Sequence, residues 1–188
     1  SVRNHAIKAI LQTLTDKYDE ERIHSKRVSQ LCVELGKQLN LDEDDINELE
    51  MAGMYHDIGK ISIPDAILDK PSKLTDEEYD IMKSHTEVGY SILKAADEYS
   101  GLAEHALYHH ERWDGKGYPK GLSGEDIPLF SRIICVCDSY EAMTAERPYK
   151  NKMDIDQAVA EIKRCAGTQF DPILARLFVE EVLKKSWK

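Results

Sequence analysis

Five of the seven histidines stand in settings that suggest metal binding, whereas His5 and His105 do not. The five are His24, His56, His85, His109 and His110. Asp57 follows His56 directly, and neighbouring helical side chains point about 100° apart, so such a pair can flank one metal or reach a second. Imidazole suits iron, zinc, manganese and nickel, and a carboxylate can bridge two cations. Asp138 follows an apolar run, and a buried acid needs a cation or hydrogen-bond donors.

Each of these residues alone has an ordinary interpretation. A single histidine on a helix is more often a core or surface residue than a ligand, and Asp138 alone would more often be a cap or an ion-pair partner. The local sequence around them is therefore what carries the argument. Residues 56–60 read HDIGK, 109–119 read HHERWDGKGYP, 138–150 read DSYEAMTAERPYK and 167–172 read GTQFDP.

Together these segments resemble the HD-GYP family, a branch of the HD metallophosphohydrolases, over about residues 18–182. The most specific segment is 109–119, in which eleven consecutive positions fit the family pattern. The resemblance implies an all-α fold, a compact helical bundle of the HD-domain type with a buried di- or trinuclear metal site. The metal ligands that it implies are His24, His56, Asp57, His85, His109, His110 and Asp138.

A third metal is held in some family members by a glutamate four residues before the upstream histidine. That position is Glu20 here, and i and i+4 residues share a helical face. Glu20 is equally explained as part of a solvated acidic helix start, so its role is open. The cofactors expected are two or three divalent metal ions, with iron or manganese favoured and zinc or nickel not excluded.

The resemblance also implies catalytic and substrate-binding residues. Asp57 and Lys60 are the expected catalytic pair, with Asp57 bridging the metals and Lys60 binding a phosphate oxygen or protonating the leaving oxygen. Lys60, Arg147, Lys150 and Tyr118 are the expected contacts to the substrate. Trp113 and Tyr118 lie in a long glycine-rich loop, a kind of segment that is usually functional or disordered.

Two departures from the family pattern are mild. Lys150 stands where many members carry Arg, and Glu141 stands where many carry Asp. We expect neither of them to contact a proposed metal ligand.

The function that the resemblance implies is a metal-dependent phosphodiesterase that hydrolyses cyclic di-GMP to linear pGpG, with further cleavage to GMP left open. Metals would neutralise the phosphodiester and lower the pKa of the attacking water. Three alternatives remain. The first is a phosphodiesterase for another cyclic dinucleotide, such as cyclic GMP-AMP. The second is a non-catalytic receptor or partner-docking module. The third is an oxygen-activating di-iron enzyme on the same scaffold.

Helical periodicity runs through almost the whole chain and must supply the elements that position these residues. Asp42 predicts the start of a helix over about residues 43–58 with Gly59 at its end, and Thr75 predicts a capping box with Glu78. Further helices are predicted near 85–95, 101–110, 128–145, 154–165 and 171–184. We expect residues 1–17 to form a leading amphipathic helix and residues 18–188 to form the HD-GYP domain. The leading helix is open to a second interpretation, as the end of a linker from an upstream domain.

The composition limits the possible partners. The net charge is −10 over 188 residues, so general nucleic-acid binding is not expected. The sequence has no run of 18 apolar residues, and residues 1–10 lack the pattern of a secretory signal. The four cysteines lack metal or redox spacing, so we expect reduced thiols and a cytoplasmic location. A homodimer and an upstream sensor or receiver domain stay open as partners.

Overall fold

The computed structural model describes residues 1–147 and 151–188, and within them the chain is helical. The α-helices are α1 (Val2–Lys17), α2 (Asp19–Gln38), α3 (Glu43–Tyr55), α4 (Asp65–Leu68), α5 (Asp76–Lys83), α6 (His85–Lys94), α7 (Ala103–Leu107), α8 (Leu129–Thr144), α9 (Ile155–Cys165) and α10 (Pro172–Leu177). Short 3-10 segments cover Ile58–Ser62, Ser100–Leu102 and Gly124–Asp126, and a π-helical turn covers Phe178–Val182. No β-strand occurs in the described ranges, so the all-α prediction is confirmed.

Local sequence signals set several helix starts. The Asp42 carboxylate caps α3 by accepting a hydrogen bond from the backbone N–H of Asp45. The predicted capping box of Thr75 and Glu78 is present at the start of α5. Asp154 forms a second capping box with Gln157 at the start of α9. These caps satisfy N–H groups that the first turn of a helix leaves free.

The prediction of one helix from 43 to 58 is wrong at its C-terminal end. Helix α3 stops at Tyr55, and the backbone tightens into a 3-10 segment from Ile58. His56 and Asp57 therefore lie in the turn between the two. The tighter turn changes the direction in which successive side chains point.

Helix α2 lies at the centre of the bundle, where it packs against α3 on one side and α8 on the other. Fully buried apolar side chains fill these contacts, among them Val28 and Leu35 of α2, Leu49 of α3 and Ile133 of α8. Helix α6 packs on the 3-10 segment Ile58–Ser62 and on α7. Helices α2, α3 and α8 thus pack together, and α6 packs together with the 3-10 segment and α7. These contacts bring the histidine-bearing segments to one interior region.

Among the described residues, none of the helices combines the length and the apolar character needed to cross a bilayer. The four cysteines are free and buried. Helix α1 buries Ile7 and Leu14 against the bundle. Whether α1 continues a linker from another domain stays a prediction.

Candidate metal centre

Seven of the predicted ligands form two adjoining groups that share Asp57. The acidic group consists of His24, His56, Asp57 and Asp138, and the imidazole group consists of Asp57, His85, His109 and His110. Within each group the candidate ligand atoms lie within 4.8 Å of one another. Residues more than 100 positions apart in sequence thus meet around one carboxylate, as a two-metal site requires.

The approach of α6 to the turn after α3 depends on glycine. A Cβ atom at Gly59 would collide with the backbone carbonyl oxygen of His85. Because glycine has no Cβ, the start of α6 can lie directly on the turn that carries His56 and Asp57. This contact places His85 Nε2 3.4 Å from Asp57 Oδ1.

Three of the histidines are oriented in the same way, by a backbone carbonyl three residues earlier. His56 Nδ1 lies 2.6 Å from the Gly53 oxygen, and His109 Nδ1 lies 2.6 Å from the Ala106 oxygen. His85 Nδ1 lies 2.7 Å from the oxygen of Met82. A carbonyl oxygen only accepts, so Nδ1 carries a hydrogen in each case and Nε2 is the nitrogen directed at the carboxylates.

Two of these nitrogens have no hydrogen-bond partner in the part of the chain that the structure describes. They are the buried Nε2 atoms of His85 and His109. Buried polar atoms are nearly always satisfied, so unpaired imidazole nitrogens facing a shared carboxylate need an explanation. A divalent cation between them provides one, and three imidazoles with one carboxylate form a suitable donor set for such an ion.

Ion pairs dominate the acidic group. Burial disfavours the charged form of His24, but hydrogen bonds to Asp138 and Glu141 outweigh it and raise the His24 pKa to about 9. Burial likewise opposes charge on His56, yet Asp57 and Asp138 raise its pKa well above the usual value. Burial alone would raise the pKa of Asp57, but the charges of His56 and Lys60 hold it well below the ordinary range.

Asp138 follows the same pattern as Asp57. Burial favours its neutral form, but hydrogen bonds from His24 and His56 keep its pKa well below the usual value. His24 Nε2 lies 2.7 Å from Asp138 Oδ1. The acidic group is therefore a buried cluster of anions balanced by nearby imidazolium charge, and divalent cations can take over that balancing role.

The imidazole group behaves in the opposite way. Burial lowers the pKa of His109, and the positive charge on His56 adds to the effect. Burial holds the His110 pKa well below its usual value. Both rings are therefore neutral at pH 7, which is the state in which imidazole binds a metal.

Lys60 lies on the edge of the acidic group. Its Nζ is 3.2 Å from Asp57 Oδ2 and 3.2 Å from Glu21 Oε2. Burial acts to lower the Lys60 pKa, but the negative charges of Asp57 and Glu21 prevail and raise it above the usual value. The side chain is 22 % exposed, so a protonated ammonium stands between the buried carboxylates and solvent.

The glycine-rich loop is held by Glu111, a buried carboxylate at its start. Its oxygens accept hydrogen bonds from the backbone N–H groups of Lys120, Gly121 and Leu122 at 2.7, 3.1 and 3.0 Å. The loop also packs tightly, since a Cβ at Gly117 would come within 2.5 Å of the His110 oxygen. As a result the Tyr118 ring stacks on the His110 ring at 4.9 Å and 15°.

The remaining predicted residues lie elsewhere. Glu20 belongs to neither group; its side chain is 51 % exposed, and its carboxylate lies 3.8 Å from Arg147 Nη1. That arrangement favours the interpretation of Glu20 as a solvated residue of the helix start, and its role as a third-metal ligand stays a prediction. Lys150 lies outside the described residues.

The expectation that Glu141 touches no proposed ligand is wrong. Glu141 Oε1 lies 2.9 Å from His24 Nδ1, in the buried interior. The reason is helical geometry, since Glu141 follows Asp138 by three residues on α8 and so lies on the same face. That spacing was visible in the sequence and was the signal available for this contact. The contact of Glu21 with Lys60 was also missed, because the two residues are 39 positions apart and only the tertiary structure brings them together.

Comparison with known proteins agrees with this geometry. Residues 8–174 match the model of the HD domain family, and the chain belongs to that family, in its HD-GYP branch. It is 41% identical over 174 residues to a "Cyclic di-GMP phosphodiesterase" of Thermotoga maritima, covering 91% of this chain and 47% of that protein. It is 38% identical over 163 residues to the "3'3'-cGAMP-specific phosphodiesterase 2" of Vibrio cholerae, covering 86% and 31%.

Among solved structures, the fold resembles that of Bd1817, an HDG"Y"P protein from Bdellovibrio bacteriovorus. The TM-score is 0.71 at 17% identity, covering 97% of this chain and 62% of the other. This likeness concerns the fold. The chain spans less than half the length of the two curated relatives it matches, 47% and 31%.

Proposed function

We propose that the chain is a metal-dependent phosphodiesterase that hydrolyses cyclic di-GMP to the linear dinucleotide. The observation that carries the proposal is the pair of donor groups joined at Asp57, with the unpaired Nε2 atoms of His85 and His109 facing its carboxylate. We favour a catalytic over a structural centre because two further side chains border it. The ammonium of Lys60 lies beside Asp57, and the ring of Tyr118 stacks on His110.

Seven side chains are the proposed metal ligands, and Asp57 is the proposed bridge. The acidic group would hold one divalent ion and the imidazole group the other. Such a pair, when bound, supplies positive charge for the phosphodiester and lowers the pKa of a water. We propose iron or manganese, since histidine and carboxylate donors without cysteine suit both ions.

Lys60 is the proposed electrostatic catalyst. Its ammonium is held by Asp57 and Glu21, so it keeps a fixed position and a positive charge. A phosphodiester at the centre would meet that ammonium, which can donate to a non-bridging oxygen or give a proton to the leaving oxygen. Charge that is already oriented costs no reorganisation when negative charge develops.

Arg147 is a proposed contact for the substrate, together with Lys150. A guanidinium can bind phosphate or the edge of guanine in two parallel hydrogen bonds. Because these contacts exist in both the ground and transition states, Arg147→Ala should raise KM while kcat stays unchanged. Steady-state kinetics with unchanged metal content would check this, and a fall in kcat alone would contradict it.

A second candidate substrate is cyclic GMP-AMP, favoured by the similarity to a phosphodiesterase named for that compound. A non-catalytic receptor is less well supported, because all seven donors are retained. A cytoplasmic setting stays a prediction, with which four free buried cysteines agree. A homodimer and an upstream sensor or receiver domain also stay predictions.

The test is hydrolysis by protein purified without oxygen, with its metals counted. We expect at least two metals per chain. We also expect a linear product from cyclic di-GMP, which chromatography detects. Cyclic GMP-AMP, measured in parallel, decides between the two substrates. Fewer than one metal per chain, with binding but no turnover, would favour the receptor instead.

A further inference from the structure

A small cavity lies between α5 and the glycine-rich loop, next to the imidazole group. Its volume is about 260 Å³. It is lined by Asp80, Lys83, Ser84, Glu87, Tyr118 and Pro119. Two of these residues connect it directly to the centre, since Ser84 precedes His85 and the Tyr118 ring stacks on His110. A group bound in the cavity would therefore lie one aromatic ring away from a proposed metal ligand.

Tyr118 lines this cavity, and the exposed ring of Tyr79 packs against Tyr118 beside it. The Tyr79 and Tyr118 rings meet at 82° with centroids 6.5 Å apart, and Lys83 Nζ lies 5.1 Å from the first centroid and 5.9 Å from the second. Nucleobases stack on such rings, and a nearby cation strengthens the contact.

The size of the cavity limits its occupant to part of a dinucleotide. Sites for whole small molecules usually have volumes of roughly 300–1,000 Å³. A cavity below that range suits a single base. A cyclic dinucleotide carries two bases, and Arg147, a proposed contact for the substrate, lies near the start of α2, where it pairs with Glu20. The cavity beside Tyr118 is thus available for the second base.

The polar groups of the cavity favour guanine. Asp80 and Glu87 present carboxylates, which only accept hydrogen bonds when ionised. Asp80 Oδ1 lies 3.2 Å from Lys83 Nζ, which leaves Glu87 as the acceptor that the lysine does not hold. Guanine offers two adjacent donors, N1–H and the N2 amino group, on its Watson–Crick edge. Adenine places one donor beside one acceptor there, and that acceptor would face a carboxylate.

We propose that the cavity between α5 and the glycine-rich loop is a second base subsite, and that it takes a guanine. Tyr118 provides the stacking surface, Tyr79 extends it by packing against Tyr118, Lys83 lies beside both rings, and Glu87 accepts hydrogen bonds from the base edge. The proposal rests on the proposed function, because it assumes a cyclic dinucleotide whose phosphodiester lies at the metal centre.

The first test compares Tyr79→Ala with Ile81→Ala in the metal-loaded protein. Both residues are on α5 with similar exposure, 49% and 43%, but only Tyr79 contacts Tyr118. We expect Tyr79→Ala to raise KM for cyclic di-GMP about tenfold, the usual effect of losing one stacked base, while kcat and metal content stay unchanged. Ile81→Ala should match the wild type. Equal KM values for the two variants would overturn the subsite.

The second test concerns base identity and uses Glu87→Gln. A glutamine both donates and accepts, so it should tolerate adenine better than a carboxylate does. Cyclic di-AMP should inhibit cyclic di-GMP hydrolysis weakly in the wild type and more strongly in the variant. No change in the relative affinity for the two compounds would refute the guanine assignment.

The failure of the proposed function would look different. If the wild type with two metals hydrolyses no cyclic dinucleotide, the phosphodiesterase proposal fails. The subsite is then tested by calorimetric binding of cyclic di-GMP to the wild type, Tyr79→Ala and Ile81→Ala. A dissociation constant about ten times higher for Tyr79→Ala than for the other two supports it. Absence of any binding to the wild type would overturn both proposals.

Discussion

The acidic group and the imidazole group differ in how they are held together without a cation. In the acidic group, His24 and His56 face two carboxylates, and the pKa values of both rings are raised. In the imidazole group, three rings surround Asp57 alone, and the pKa values of His109 and His110 are lowered. In the acidic group, charged imidazoles balance the carboxylates. In the imidazole group, His109 and His110 are neutral donors that can bind a cation.

The difference extends to the partners behind the rings. His56, His85 and His109 each use a backbone carbonyl, but His24 uses the side chain of Glu141. A carbonyl is fixed by the helix, whereas a carboxylate adds charge and depends on its own packing. Within the acidic group, His24 therefore depends on a side chain of α8, whereas His56, like His85 and His109 of the imidazole group, depends on backbone geometry.

The largest effect is expected at the residue that both groups share. Asp57→Ala should reduce hydrolysis to background and lower the metal content at both positions, because one carboxylate serves both ions. Elemental analysis and product chromatography measure the two quantities. Asp65→Ala is the matched control, since Asp65 is a carboxylate on the surface that pairs with Lys17 at 2.7 Å. If Asp57→Ala kept two metals and normal turnover, the bridging role would be wrong.

The second prediction separates the groups by their stability without metal. In the chelator-treated chain, His24→Ala should lower the free energy of unfolding by about 3–5 kcal/mol, since it breaks a buried charge pair. His109→Ala should cost less, because its Nε2 has no partner to lose. Urea unfolding of the two metal-free variants checks the order. Equal losses would mean that the two groups do not differ as described.

The same two variants should each lose one metal when the protein is loaded. The metal count should fall from two to one per chain in both, with the remaining ion held by the other group. Loss of both ions from His24→Ala alone would show that the acidic group must fill first.

Lys60→Ala should mainly lower kcat, by about 100-fold, with both metals retained. The reason is that its ammonium faces the centre but binds no metal, lying 3.2 Å from Asp57 Oδ2. Steady-state kinetics and metal analysis on the same sample are needed, since a lost metal would resemble a catalytic defect. Small and equal changes in kcat and KM, with both metals retained, would show that Lys60 has no catalytic role.

Glu141→Ala should weaken metal binding at the acidic group about 10–100-fold, as loss of a carboxylate behind a histidine ligand usually does. Binding at the imidazole group should be unaffected. Competition with a chelating dye resolves the two affinities. Thr144→Ala is the control, because Thr144 lies on the same helix and its hydroxyl donates only to the Tyr140 carbonyl. Asp at position 141 should restore part of the affinity, and a uniform loss at both positions would contradict a role specific to His24.

The sequence alone determined the helical class and the residue types of the centre. Periodicity and caps such as Thr75 with Glu78 are local properties, because helix hydrogen bonds and first-turn caps connect residues three or four positions apart. The family resemblance implied the seven candidate donors, five of which lie in the motif segments, because the chemistry of a ligand depends on residue type. The break after Tyr55 was missed because a 3-10 turn and an α-helix share nearly the same pattern.

Only the tertiary structure decided which donors meet and what stands behind them. His24 and Glu141 are 117 positions apart, and their contact exists because α2 packs on α8. The division into two groups, the position of Lys60 between Glu21 and Asp57, and the cavity beside Tyr118 depend in the same way on packing between helices. Spacing along a chain fixes neighbours within one helix, whereas contacts between helices follow from how their buried faces fit together.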